Sequence, residues 1–210
     1  MKTLNMLIAG LFLALLTACE PAQEVIGEGT LASPYVDCSI MQYLRNGPYN
    51  WDLTVEMIER AGLTEMFEGT VDTLPEITFL GFTKFSVMRY VYDQGKDSVA
   101  QLGVEECRDL VLRHVVKGKH LKESIDYQDT SMEISDPKQK GGTDFVTLGG
   151  GMLKFFLVAD DYANVPGAGA VHMGIYSISA GSKVPTASID IQPLNGVVHS
   201  LSDNYELGKI

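Results

Sequence analysis

The clearest alternation of apolar and polar positions lies in residues 189–207. Ile189 and Ile191 alternate with Asp190 and Gln192, Asn195-Gly196 supplies a turn, and Val197, Val198, His199 and Leu201 resume an extended apolar run. Asn and Gly tolerate the positive φ of tight turns, so this stretch predicts a β-hairpin. A hairpin cannot bury its apolar face alone, and the preceding chain is expected to wrap onto it. From residue 35 to 67 the period is helical and broken once, at Asn46-Gly47-Pro48, with Asp52 as a cap for a second helix. Leu53, Met57, Ile58, Ala61 and Leu63 share one face of that helix, which Gly62 ends. A strand is predicted over 76–80, then helices over 85–93 and 103–115. The last places Cys107, Leu110, Val111 and His114 on its apolar face. Beyond Gly118 the pattern becomes strands: 145–148 and 152–158 about Gly149-Gly150-Gly151, then 175–179, then the closing hairpin. Helices followed by strands is an α+β order.

The composition suits a single folded domain with extensions: 210 residues, 45% hydrophobic, 20% charged. Sixteen basic residues against 27 acidic give a net charge of −11, which argues against a nucleic-acid partner and against electrostatic docking on anionic lipid. The N-terminus suggests another route to a membrane. Met1-Lys2 precedes an apolar run over 4–16 that is short for a bilayer span, closed by Leu16-Thr17-Ala18-Cys19. This tetrapeptide resembles a bacterial lipobox. The resemblance implies a signal peptide over 1–18, cleavage before Cys19, and attachment of diacylglycerol and an acyl (palmitate-type) chain to that residue. At about 0.8 kcal/mol per buried methylene, two or more chains hold a domain on a membrane. The polar stretch following Cys19, with Pro21, Gly27 and Gly29, reads as a tether over 19–34, leaving a domain over 35–210. Of the remaining cysteines, Cys38 and Cys107 each sit in an apolar periodic stretch, which favours two buried thiols. A disulfide is the alternative.

Three segments together resemble the fasciclin-type domain. Thr78-Phe79-Leu80-Gly81-Phe82-Thr83-Lys84 stands where that family has Thr-x-Phe-(Ala/Gly)-Pro-(Thr/Ser)-Asn. Leu110-Val111-Leu112-Arg113-His114-Val115-Val116-Lys117-Gly118 stands for Leu-Leu-x-Tyr-His-Val-Val-x-Gly, and residues 190–199 match its Asp-Ile-x-x-x-Asn-Gly-x-x-His hairpin. Thr147-Leu148-Gly149-Gly150 is a weaker fourth match. The resemblance implies an α+β fold, a single fasciclin-like domain with helices packed on a β-sandwich or wedge and a C-terminal hairpin. It also implies structural roles for His114, Asn195 and Gly196, and a non-enzymatic adhesion or matrix-binding role. Phe82, Lys84 and Arg113 depart from the family pattern. Because Arg113 replaces the aromatic of the Tyr-His pair implicated in integrin binding, that activity is not carried over. Gly81 in place of Ala looks like envelope lipoproteins of Bacteroidetes-type bacteria, which implies outer-membrane anchoring and, as an alternative role, service as an accessory subunit of a glycan-uptake complex.

The residues themselves offer little catalytic chemistry. The histidines, 114, 120, 172 and 199, include no metal-binding pair at i, i+3 or i+4, and no HExxH or cysteine ligand spacing occurs, so neither a metal nor another cofactor is expected. Gly174-Ile175-Tyr176-Ser177-Ile178 lacks the second glycine of a nucleophile elbow, and a hydrolase is the weakest alternative. Two surfaces invite a binding role. Arg113, Lys117 and Lys119, with Lys122 and His120, form a basic stretch in an acidic chain and suit an acidic glycan or a partner protein, Lys117 and Lys119 sharing a face if on a strand. Trp51, with Tyr49, Asn46 and Asn50, offers an aromatic face for a sugar ring, while a Trp that opens an amphipathic helix is more often packed. The combined expectation is a lipid-anchored envelope protein, partnered by the membrane through Cys19 and by an extracellular glycan or envelope protein.

Overall fold

The computed structural model describes residues 33–210, with residues 34–210 forming one compact unit. Cys19, the predicted signal peptide and nearly all of the predicted tether lie outside the described residues. The chain begins with helices α1 (Ile40–Asn46), α2 (Pro48–Arg60) and α3 (Thr64–Glu68), followed by strand β1 (Ile77–Gly81), α4 (Lys84–Asp93), a 3-10 turn at Val99–Gln101 and α5 (Val104–Arg113). Strands then dominate: β2 (Val115–Lys117), β3 (Thr143–Val146), β4 (Met152–Ala159), β5 (Val171–Ser177), β6 (Ser182–Val184), β7 (Thr186–Ile191) and β8 (Gly196–Leu201). The fold class is α+β. No described helix is long and apolar enough to cross a membrane.

The helices are set by local chemistry. Ser39 and Gln42 form a capping box at the start of α1, each satisfying a backbone N–H of the other. Asp52 does not cap the second helix. Pro48 occupies its first turn and Gly47 is the N-cap, because the fixed φ of proline is already helical and its missing N–H would be unpaired there in any case. Gly62 and Gly69 take left-handed φ values of 66° and 75° and end α2 and α3, so residues 35–67 contain two breaks rather than one.

The strands form two four-stranded sheets. One has the order β2-β1-β8-β7, with β1 and β8 parallel and the remaining pairs antiparallel. The other, β3-β4-β5-β6, is an antiparallel meander. Pro185 alone separates β6 from β7. Lacking an N–H, it cannot extend the β5–β6 ladder, and the chain crosses there from one sheet to the other. The closing hairpin therefore exists, but its second strand is an inner strand. All five residues of β1 are buried beside it.

The core gathers Ile40, Leu44, Met57, Phe67, Phe79, Phe82, Val111, Val198 and Leu201 where the helices meet the first sheet. Leu153, Phe155, Met173 and Ile175, from alternate positions of β4 and β5, continue it onto the inner face of the second sheet. Phe79 meets Phe67 edge-on at 4.9 Å and Phe82 at 5.7 Å, and the Phe82 ring lies 4.8 Å from that of His114. Phe82 thus fills the core where the resembled pattern has proline.

Candidate functional site

The residues with the richest chemistry converge on the closing hairpin. Asn195, in the loop between β7 and β8, accepts from the Ile40 N–H at 2.7 Å through Oδ1 and donates to the Phe67 carbonyl at 3.0 Å through Nδ2. One amide thus ties the hairpin to the start of α1 and the end of α3, supplying backbone partners that helix termini lack. Gly196, at φ 151°, brings its backbone so close to Ile77 that a Cβ would collide with the Ile77 carbonyl.

His114 follows the last turn of α5 and is fully buried. Its Nδ1 lies 2.7 Å from the Leu110 carbonyl, which can only accept, so Nδ1 carries the proton and Nε2 accepts from the Tyr205 hydroxyl at 2.8 Å. Burial holds the ring neutral and lowers its pKa to about 4, against the smaller opposing effect of the Leu110 bond. His199 on β8 is also buried and its pKa lowered by desolvation. Its Nε2 donates to the His120 carbonyl at 3.0 Å, and Nδ1 accepts from the Asp190 N–H at 3.2 Å. Asp190, held at φ 59°, accepts from the Lys122 N–H at 2.9 Å. His114 and His199 are therefore occupied on both ring nitrogens by fold-internal partners.

The basic stretch is anchored here but does not form a single face. β2 ends at Lys117, and Gly118 turns the chain at φ 88°, so the strand parity that would align Lys117 with Lys119 stops between them. Lys117 and Lys119 are exposed, whereas Arg113 lies 2.9 Å from Asp109 across one turn of α5. The glycine turn docks on that same helix end: Leu148 and Gly149 donate to the Val115 and Leu112 carbonyls, and a Cβ on Gly149 would sit 2.8 Å from the Arg113 backbone nitrogen. The turn is a joint between hairpin and helix.

Trp51 is only 4% exposed, so its indole is not available to stack on a sugar. It lies between two glycines from different segments: a Cβ on Gly47 or on Gly81 would come within 3.0 Å of its ring. The glycine in the strand-turn-helix segment thus makes room for the indole. The neighbouring Tyr49 is 73% exposed, with the Lys84 ammonium 4.5 Å above its ring.

Cys107 is buried and Cys38 half-buried; both are free thiols. Burial raises the pKa of each. Among the described residues no group of three His, Cys, Asp or Glu side chains is placed to hold a metal ion. Glu106 gathers several donors, accepting from the Gly103 N–H, the Tyr90 hydroxyl and Lys96. Burial alone would raise its pKa, but these donors together hold it below the ordinary carboxylate value. That cluster caps the first turn of α5. Two residues with structural work were not singled out from the sequence. Tyr205 offered no local signal, and Asp190, although part of the hairpin motif, gave no hint of the left-handed backbone through which it holds Lys122.

No protein-family model and no curated protein matches the chain. Among solved structures, the FAS1 domain pair from the insect cell adhesion molecule fasciclin I is similar over 80% of this chain and 46% of that one, at 10% sequence identity with a TM-score of 0.44. The present chain thus corresponds to just under half of that structure's length.

Proposed function

We propose that the chain is a fasciclin-type, non-enzymatic binding module, held on a bacterial cell envelope by lipid on Cys19, that serves adhesion or the capture of a glycan or protein ligand. The observation that carries this reading is the use made of the motif residues. Asn195, Gly196, His114 and His199 all act as joints of the fold, and the two histidines of the motif segments, His114 and His199, are buried and hydrogen-bonded on both ring nitrogens. Such a scaffold presents a fixed surface. Exposed Lys117 and Lys119, with Arg113, are the candidate contacts on it. The sequence Leu16-Thr17-Ala18-Cys19 supports the anchor, and outer-membrane placement follows only by analogy with the envelope lipoproteins the chain resembles.

The full chain, expressed with its N-terminal segment intact, is expected to incorporate radiolabelled palmitate in a bacterial host and to lose the label in Cys19→Ser. A labelled Cys19→Ser chain would remove the anchor. On arrays of glycans and envelope proteins, binding is expected to weaken in a Lys117→Glu/Lys119→Glu variant whose melting temperature is unchanged. Unaltered binding would take these lysines out of the contact. Service as an accessory subunit of a glycan-uptake complex differs in one outcome, stoichiometric recovery of a transporter in pull-downs from the native envelope.

A further inference from the structure

The outer face of the second sheet carries a feature unrelated to the hairpin joints. Asp144 on β3 pairs directly with Lys154 on β4, Lys154 with Tyr176 on β5, and Tyr176 with Lys183 on β6, so four polar side chains form one row across all four strands. The intervening residues Leu153, Phe155 and Ile175 point to the opposite, buried face. Ile134 and Gln139 are buried above this face, and their segment closes one side of a cavity of about 390 Å³ over Asp144, Lys154 and Tyr176, with Lys183 outside its lining.

Polar groups with unused capacity meet apolar walls in this cavity. The Lys154 side chain is only 12% exposed and is held by one carboxylate oxygen, Asp144 Oδ1, at 2.6 Å, although an ammonium has three donors. One oxygen of Asp136 accepts from the Lys138 N–H, which leaves the other for a ligand. The Tyr176 ring, Pro137 and Ile178 complete the lining. We infer that this cavity, floored by Lys154, is a binding site for a neutral pyranose residue of a glycan, an assignment that deepens the adhesion reading and rests on it.

Adjacent sugar hydroxyls donate and accept at once, and an ammonium paired with Asp144, in a cavity that Asp136 also lines, answers both needs. The apolar C–H face of the ring packs on Tyr176, Pro137 and Ile178. The volume suits one or two sugar rings. Charge selects the neutral class: two carboxylates outnumber the single ammonium inside the cavity, so a uronate would bring its own anion against a net negative site.

The test is saturation-transfer NMR on the full chain with methyl glucoside, methyl mannoside, methyl galactoside and methyl glucuronide. At least one neutral glycoside is expected to bind with a Kd on the order of 1 mM, as befits a single ring. The glucuronide is expected to bind several-fold more weakly, and Lys154→Met and Tyr176→Ala each to weaken the neutral ligand about tenfold, a change of about 1.4 kcal/mol. Tyr176→Ala removes the ring on which the sugar packs and leaves the Lys154–Asp144 pair in place, so it keeps the test valid if Lys154→Met fails to fold. Absence of binding by every neutral glycoside, or equal or tighter binding of the glucuronide, overturns the assignment. Glycans captured on arrays with affinity unchanged by either variant would overturn the cavity while leaving the adhesive role standing. Binding of a neutral glycoside that both variants weaken, with no glycan or protein captured on arrays, would support the cavity and remove the adhesive role.

Discussion

Trp51 shows how a single side chain is placed by what its neighbours lack. Gly47 and Gly81 leave room for an indole that a methyl group at either position would displace. Trp51→Ala is therefore expected to destabilise the domain by about 3–5 kcal/mol in chemical denaturation, the cost of a large core cavity. Gly81→Ala should cost about 1–3 kcal/mol by overpacking. His114 sets a pH response. Because its pKa falls from 6.5 in the unfolded chain to about 4 when buried, the unfolded state binds the proton first. Stability should be at its plateau above pH 6.5, decline as the pH falls towards 4, and stop changing on this account below that. Its contribution is about 3 kcal/mol, with His199 acting in the same direction. Denaturation midpoints between pH 7 and 4 should follow this slope, and His114→Gln should flatten it. An unchanged slope would mean that the ring is not kept neutral by burial. The residues involved were visible in the sequence, His114 on an apolar helical face among them. Packing of Trp51 followed from its place at the start of an amphipathic helix, but not what it packs against, because the two glycines that make room for it come from separate segments.

At the scale of elements, helices and long strands were legible because their apolar periods extend over many residues, as in α2, α4, α5 and β4. β2 and β6 were not. Each has three residues, too few to show a period, and each is a strand only because β1 or β5 lies beside it. The start of α2 was misjudged because Asp52 is a good capping residue type, whereas the fixed φ of Pro48 determines the geometry four residues earlier. The row Asp144-Lys154-Tyr176-Lys183 depends on register, and a one-residue slip in any strand would scatter it. Alternation along each strand gives only the face, not the neighbour. The joint between hairpin and helices makes its own prediction. Asn195→Ala leaves the Ile40 N–H and the Phe67 carbonyl unpaired in the interior and should cost about 3 kcal/mol, read from urea midpoints. Asn195→Asp keeps the acceptor but loses the donor, and should restore only part of that loss.

Across the whole molecule, the absence of a disulfide between Cys38 and Cys107 bears on how the domain responds to redox conditions. With both thiols free, the melting temperature of the full chain should be the same with and without a reducing agent, and two thiols beyond Cys19 should react in denaturant. A reductant-dependent shift would point to a bond between them. The fold class could be read from the order of helices and strands. The partition into two sheets could not, since it turns on Pro185 and on which strand β8 chooses as its second neighbour. That choice has a consequence for biogenesis. The strand completing the first sheet lies parallel to β1 and pairs Gly196 with Ile77, so the sheet cannot close until the ribosome has delivered nearly all of the described chain. A polypeptide whose keystone arrives so late can assemble its second sheet while synthesis is under way, but its first sheet only at the end.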